Sequence, residues 1–270
     1  MLGPSRTSFA EAREALAARA DDRGFDGAGA ELLSVSTVLA SSSVLRGALA
    51  DTGRPTDDRE ALARSVLAGK VGELTLDVVA DAVRRRWAHG RDLVDAVEGL
   101  GIEATLIVAE RAGRIDTVED ELFRVERMVA GSPGLRQALS DPAVSNEAKA
   151  ELLGSLLDGK VAGETAALVR QVVTQPRGRR LEGALAALVD ASALRRERVL
   201  AKVRVAAPIT AAQEERLAAV LGRVYGRTVD VQVEVDQSVL GGVVVTVGDE
   251  VINGSVAHKL EQIRRLMGVN

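Results

Sequence analysis

Two Gly-Lys pairs, Gly69-Lys70 and Gly159-Lys160, and the Gly241-Gly242 pair ahead of Val243 are the places where this chain could cradle a phosphate. A phosphate loop needs an upstream glycine, backbone N–H groups closing on the anion, a lysine, and a following Ser or Thr for the metal ion. Neither Gly-Lys pair has them; valine follows each, at Val71 and Val161. Both pairs read as helix stops, with glycine ending the turn. No GxGxxG or GxxxxGKS/T pattern surrounds Gly241-Gly242, which reads as a bulge or bend where glycine permits positive φ. His89 and His258 are the two histidines, lie far apart, and have no second ligand at metal spacing. They are expected on the surface. With no cysteine there is no thiol nucleophile, disulfide or thiolate metal site. The carboxylates are spread along amphipathic stretches, and no pair stands out as a general acid and base. The expectation is a protein with no catalytic residue, no cofactor and no metal.

Three basic clusters remain: Arg84-Arg85-Arg86, Arg177 with Arg179 and Arg180, and Arg195-Arg196 with Arg198. Each is either a solvated helix face or a docking surface for acidic partner helices, where charge mainly sets on-rate and register. Trp87, beside the first cluster, is expected in the core. A net charge of −4 and a sequence pI near 5.5 argue against a nucleic-acid binder. So does the scarcity of aromatics for base stacking, with one Trp, one Tyr and three Phe. The first residues lack the apolar core of a signal peptide, and no stretch reaches the ~20 apolar residues that span a bilayer. The reading is a soluble protein whose membrane association comes through partners.

The elements that position these residues are mostly helical, and they are duplicated. Residues 31–71 align without gaps on residues 121–161, with 16 of 41 positions identical. Among the identities are Glu31/Glu121, Arg46/Arg136, Asp51/Asp141 and the Gly-Lys-Val runs. Past Val71 the register drifts, because Gly90-Arg91-Asp92-Leu93 answers Gly178-Arg179-Arg180-Leu181. Apolar residues at spacings of three and four in both copies mark helical faces aimed at a shared core. Helices are predicted at about 7–21, 30–50, 57–69, 73–88, 91–130, 133–140, 146–158, 163–174 and 179–198, with Gly99, Gly101 and Gly113 weakening the long one. Ser8 with Glu11, Asp57 with Glu60, and Thr210 with Gln213 fit capping boxes. Ser132-Pro133 fits an N-cap followed by proline.

From Val199 the pattern changes to period two. Val199, Ala201, Val203 and Val205 alternate with Leu200, Lys202 and Arg204; Val229, Val231, Val233 and Val235 alternate with Asp230, Gln232 and Glu234. Such alternation marks strands with one dry and one wet face. Then come Leu240-Gly241-Gly242, the apolar run Val243 to Val247, a Gly248-Asp249 hairpin turn, Val251-Ile252, and Asn253-Gly254-Ser255 capping a last helix that carries Leu260. The predicted order is β-α-β-β-β-α. The fold class is mainly α: an amino-terminal helical bundle with an internal duplication, followed by a small α/β carboxyl-terminal domain. The expected divisions are residues 1–110, 111–198 and 199–270.

The stretch from Leu240 to Leu260, with Gly241, Gly242, Gly248, Asp249, Gly254, Ser255 and Leu260, resembles the carboxyl-terminal signature of the δ subunits of F-type ATP synthases. The mitochondrial counterpart is the oligomycin-sensitivity-conferring protein. Family members usually carry Asp where this chain has Asn253. The resemblance implies a six-helix bundle followed by a small α/β domain. It also implies a stator role without catalysis, as one copy in a hetero-oligomeric complex on the cytoplasmic face of the bacterial membrane. The extra repeat is similar to the extended δ subunits of high-GC actinobacteria, and the copy nearer the carboxyl terminus is expected to match the usual bundle. The implied partners are the amino-terminal helices of the α subunits and the carboxyl-terminal region of the b subunit. A first-helix face of Phe9, Ala12, Leu16 and Arg19 is the candidate for the former; the surface around Val243, Val245 and Val251 is the candidate for the latter. A helical adaptor unrelated to ATP synthesis is the alternative that the repeat alone allows.

Overall fold

The computed structural model describes residues 3–196, 199–225, 229–236, 239, 242–247 and 250–253. The chain divides into two compact units, residues 1–195 and 196–270. The first holds α1 (Pro4–Ala17), α2 (Phe25–Ser41), α3 (Ser43–Ala50), α4 (Thr56–Leu67), α5 (Glu73–Arg84), α6 (Gly90–Arg111), α7 (Ile115–Gly131), α8 (Pro133–Ser140), α9 (Asn146–Leu157), α10 (Gly163–Thr174) and α11 (Leu181–Arg196). The boundaries of α2 to α5 recur in α7 to α10, each displaced by 90 residues. The duplication is therefore structural.

Two predicted helices are broken. The expected 30–50 segment bends by 105° between α2 and α3. Ser42 is extended there, and its hydroxyl accepts from the Leu45 N–H at 3.2 Å, so one residue both ends a helix and caps the next. Ser132 repeats the device before Pro133, as predicted. The 91–130 segment breaks at Gly113, whose φ is +68°. The N–H of Arg114 reaches the Ala109 carbonyl at 2.8 Å and that of Gly113 reaches Glu110 at 2.9 Å, a Schellman ending.

Gly99 and Gly101 do not weaken α6; they let other helices approach it. A Cβ on Gly101 would sit 2.9 Å from the Leu33 side chain, and one on Gly99 would sit 2.6 Å from the Phe9 ring. From the other side, a Cβ on Gly29 would meet the Thr105 hydroxyl at 2.5 Å. Missing side chains on both helices bring α2 and α6 together.

Helix α6 belongs to both repeats. Leu93, Val94, Ala96, Val97, Leu100, Ala104 and Ile107 lie in the first core with α1 to α5. Leu106 and Ala109 lie in the second, with Ile102 packed against it and α7 to α11 completing it. Its 22 residues span about 33 Å. The expected division at residue 110 falls near the end of this helix, yet the helix is no boundary between cores.

Two predicted capping boxes are absent. Ser8 lies inside α1, which starts four residues earlier at Pro4, and its hydroxyl donates to the Arg86 carbonyl at 2.8 Å. Asp57 and Glu60 make no cap on α4, and Glu60 accepts from Arg84 at 2.5 Å and from Arg64 at 3.0 Å. In both cases a distant partner outcompetes the local backbone.

The second unit holds β1 (Val199–Val205), α12 (Ala211–Tyr225), β2 (Val229–Val235), β3 (Val243–Val247) and β4 (Glu250–Asn253). The sheet order is β2-β1-β3-β4. β1 and β2 are parallel, joined through α12; β3 is antiparallel to β1 and to β4. Val203 stands between Val233 and Val245, and with Ala201, Val205, Val229 and Leu221 it forms the core of this unit. The predicted capping box opens α12: the Thr210 N–H donates to Gln213 Oε1 at 2.8 Å and the Gln213 N–H to Thr210 Oγ1 at 3.4 Å. Val247 pairs with Glu250, so residues 248 and 249 alone join β3 to β4. Gly242 has φ of +82°, the left-handed value anticipated for the pair. Gly241, Gly248, Asp249, Gly254, Ser255, His258 and Leu260 lie outside the described residues, as does the predicted last helix.

Replacing Gly101 by Ala should destabilise the helical unit by about 1–3 kcal/mol through overpacking, although alanine is the better helix former. Gly183→Ala on α11, where an added Cβ meets nothing within 4 Å, should instead stabilise by about 0.5–1 kcal/mol. Chemical denaturation of the two variants, compared with the parent, measures both.

Candidate interaction surfaces

The residues with chemical potential have structural duties. Gly69 and Gly159 have φ of +69° and +70°, and the N–H groups of Lys70 and Lys160 return to the carbonyls of Leu67 and Leu157 at 2.9 Å. Both Gly-Lys pairs end helices, as predicted. His89 is exposed, with its Nδ1 3.7 Å from Asp92, and Trp87 is core, its indole N–H donating to the Ala82 carbonyl at 2.8 Å. Among the described residues no group of three His, Cys, Asp or Glu could hold a metal ion.

One repeated pair has a role that spacing could have suggested. Glu31 Oε2 accepts from the Gly72 N–H at 2.9 Å, and Glu121 Oε2 accepts from the Ala162 N–H at 2.8 Å and the Thr165 hydroxyl at 2.6 Å. Each carboxylate caps the start of α5 or α10 across 41 residues, where the helix dipole favours negative charge. The signal was identity at offset 90; its meaning needed the fold.

Several arginines of the basic clusters bind carboxylates of the chain itself, while Arg84, Arg86, Arg179, Arg180 and Arg196 remain exposed. Arg84 binds Glu60 at 2.5 Å, and Arg85 binds Glu11 at 2.5 Å and Asp81 at 2.9 Å. Hydrogen bonds from Arg84, then Arg64, hold the Glu60 carboxyl below its ordinary pKa of 4.5. Its contribution to stability is therefore complete above that value and fades as pH falls through the lowered one. Arg177 and Arg179 converge on Glu98, Arg179 at 2.7 and 3.0 Å, and Gln171 donates to the same carboxylate at 3.1 Å. Arg195 reaches Glu103 at 3.3 Å and Glu110 at 2.5 Å, while Arg13 reaches Glu103 from α1 at 2.8 Å. Glu98 and Glu103 are 2% and 7% exposed. Two nearly buried carboxylates on α6 thus bind the second repeat to the first.

Of the face expected on the first helix, Ala12 and Leu16 are core residues at 2% and 1% exposure. Phe9 is half-buried over Gly99, and Arg19 lies 3.7 Å from Asp77. In the second unit Val245 is buried and Val243 packs against the same core facing α12. Val251 lies on β4, and its side chain is outside the described residues. The large apolar side chains that are exposed lie elsewhere: Val38, Val44, Phe123, Met128, Leu194, Val220 and Val235. Phe123 is informative because its counterpart in the first repeat, Leu33, is buried beneath α6. No described helix alone is long and apolar enough to cross a membrane; α2 and α3 pass only as a pair, and they are sharply bent.

A duplicated helical body and a separate α/β unit define the class. The family model for the ATP synthase delta (OSCP) subunit matches residues 103–267, which takes in the second repeat and the α/β unit. The chain is 45% identical to ATP synthase subunit delta of Streptomyces griseus over 99% of both chains. It is 44% identical to that of Nocardia farcinica over 98% of this chain and 99% of the relative. For Kineococcus radiotolerans the identity is 42%, over 97% and 96%. The chain belongs to the ATP synthase delta (OSCP) subunit family, and its match to these relatives runs across both repeats.

Glu98→Ala would leave Arg179 without its carboxylate partner and Arg177 with Asp95 alone. Discounted for the partial exposure of Arg179, the loss should be about 2–3 kcal/mol. The expected result is a lower unfolding midpoint with exchange of α10 and α11 amides accelerated more than that of α4. Uniform acceleration in all helices would show that Glu98 does not tie the repeats.

Proposed function

We propose that this chain is a non-catalytic stator subunit of an F-type ATP synthase. It ties the catalytic head, through the amino-terminal helices of α subunits, to the carboxyl-terminal region of the b subunit in the peripheral stalk. It works as one copy in the complex, on the cytoplasmic face of the membrane and outside the bilayer. Family membership over nearly the whole chain carries this reading. Torque on the rotor would turn the head unless a static element held it. Such an element needs a binding surface at each end and a body that does not yield. The two units have separate cores, so each can offer a surface of its own. The shared helix and its buried ion pairs give the helical body the required stiffness.

For the head we infer a surface on α7 centred on Phe123. In the first repeat the equivalent Leu33 is covered by a helix; in the second, Phe123 is half exposed. A position that one copy covers with α6 is shaped to take an amphipathic helix in the other. Burial of Ala12 and Leu16 leaves the first-helix face a smaller share, through Phe9 and Arg19. For the stalk the α/β unit remains the proposed element, and its exposed apolar side chains Val220 and Val235 suit it better than Val243 and Val245.

Phe123→Asp should weaken binding of an α-subunit amino-terminal peptide roughly tenfold or more, the scale of a central aromatic anchor, with the unfolding midpoint unchanged. Equal affinity in a folded variant removes α7 from the head surface. A chain cut after Arg196 should keep its helical circular dichroism and lose capture by the b subunit. Capture retained by that shortened chain would place stalk binding in the helical body.

A further inference from the structure

Several exposed arginines make no ion pair among the described residues, and three of them gather at one end of the first repeat. Ser5, fully buried, accepts from the Ala88 N–H at 2.8 Å and donates to Asp92 at 2.7 Å; Ser8 donates to the Arg86 carbonyl at 2.8 Å. These bonds hold the first turns of α1 and α6 and the segment 86–89 together at one end of the first repeat. Arg6, Arg86, His89 and Arg91 flank the bonded residues, and all four are exposed. The nearby carboxylates are already engaged: Asp92 with Ser5, Glu11 with Arg85, and Asp95 with Arg177. Among the described residues, none of Arg6, Arg86 and Arg91 forms an ion pair or has an interaction left unstated.

The placement breaks a local rule. Helix N-termini carry positive partial charge and favour acidic side chains, by about 0.3–1 kcal/mol per charge. The first turn of α1 has no acidic residue, and Arg6 lies within it; Arg91 lies in the first turn of α6 beside one carboxylate, Asp92. Two helix starts and three arginines add like charge in one place, in a chain whose net charge is −4. The second repeat lacks this feature. Its counterparts of Arg6 and Arg86 at offset 90 are Ala96 and Pro176, and Arg179, which answers Arg91, is spent on Glu98. Arg6 and Arg86 thus have no basic counterpart in the second copy, where Arg180 is the exposed arginine of the matching segment.

We propose that this end of the first repeat is a docking surface for an acidic helical segment of a neighbouring protein subunit, with Arg6, Arg86 and Arg91 pairing to its carboxylates. The inference goes beyond the head and stalk surfaces and does not need either to be placed correctly. Guanidinium forks match carboxylates in two-point geometry, which a helix presenting Asp or Glu at successive turns would supply. A lipid surface is the poorer occupant. Interfacial binding wants an apolar side chain to insert beside the charges, and none of the large exposed apolar residues described lies on α1 or in residues 85–93.

The test uses the full chain in its native membrane complex. Arg6→Lys, Arg86→Lys and Arg91→Lys keep the charge and add amines that a carbodiimide can couple to contacting carboxylates. The expected product joins residue 86 or 91 to an Asp or Glu of another subunit. A synthetic peptide of that segment should then bind the purified chain and lose affinity roughly tenfold in the Arg6→Glu/Arg86→Glu/Arg91→Glu variant, with the loss shrinking as salt rises. These side chains make no internal ion pairs among the described residues, so the variant's thermal midpoint should not fall. Coupling only to carboxylates of this same chain overturns the proposal. So does charge-dependent binding of the purified chain to phosphatidylcholine–phosphatidylglycerol vesicles without any intersubunit product, which would assign the surface to lipid.

Discussion

The architecture of the helical unit depends on one helix serving two cores at once. α6 packs its first two-thirds against α1 to α5, and its last turns contribute to the core formed with α7 to α11. A helix can do this only if its surface is apolar nearly all round, or if the polar residues it buries are paired. The second condition holds. Glycines 99 and 101 admit Phe9 and Leu33 at close range, while Glu98 and Glu103 are buried and engaged by arginines from both sides. Buried ion pairs of this kind add little net stability compared with an apolar core, but breaking one strands the partner charges. Their effect is to specify which surfaces meet. Separating the repeats would expose the cores around α6, leave Glu98 without its cations and leave Glu103 with Arg13 but not Arg195, so the duplicated body resists opening at its middle.

Within that body the two copies keep the same internal fittings and differ where they face outward. The serine caps at Ser42 and Ser132, the carboxylates Glu31 and Glu121, and the glycine stops at Gly69 and Gly159 recur with nearly the same geometry. These set helix ends, and each copy needs them for itself. At the surface, Leu33 under a helix becomes Phe123 in the open, and the basic end of the first copy has no counterpart in the second. Divergence concentrated on outward positions is what distinct partners for two copies of one scaffold would produce. A stator tolerates this arrangement because binding surfaces can change while the load path through α6 stays the same.

Much of this was legible before any coordinates. Period-two valines marked two of the strands and an apolar run a third, Thr210 with Gln213 marked the start of α12, and the 90-residue offset marked the repeated helices. The misread side chains were misread for one reason. Ser8, Glu60, Leu16 and the arginine clusters were judged by their neighbours in the chain, while their partners lie far from them: Arg86 for Ser8, Arg84 for Glu60, Glu98 for Arg177 and Arg179. Local patterns cannot say whether an amphipathic face looks toward its own core or toward another protein. That is why Ala12 and Leu16 were candidates for a docking face and are core instead.

By itself, then, the sequence determined the elements, the duplication and the family, because propensity, capping and periodicity act over a few residues and a copied segment keeps its register. Only the tertiary structure decided that α6 is shared and that many arginines are spent internally while others, Arg6, Arg86 and Arg91 among them, stay exposed. Those outcomes depend on which surfaces come within a few ångströms of one another, a question settled by packing all the helices together.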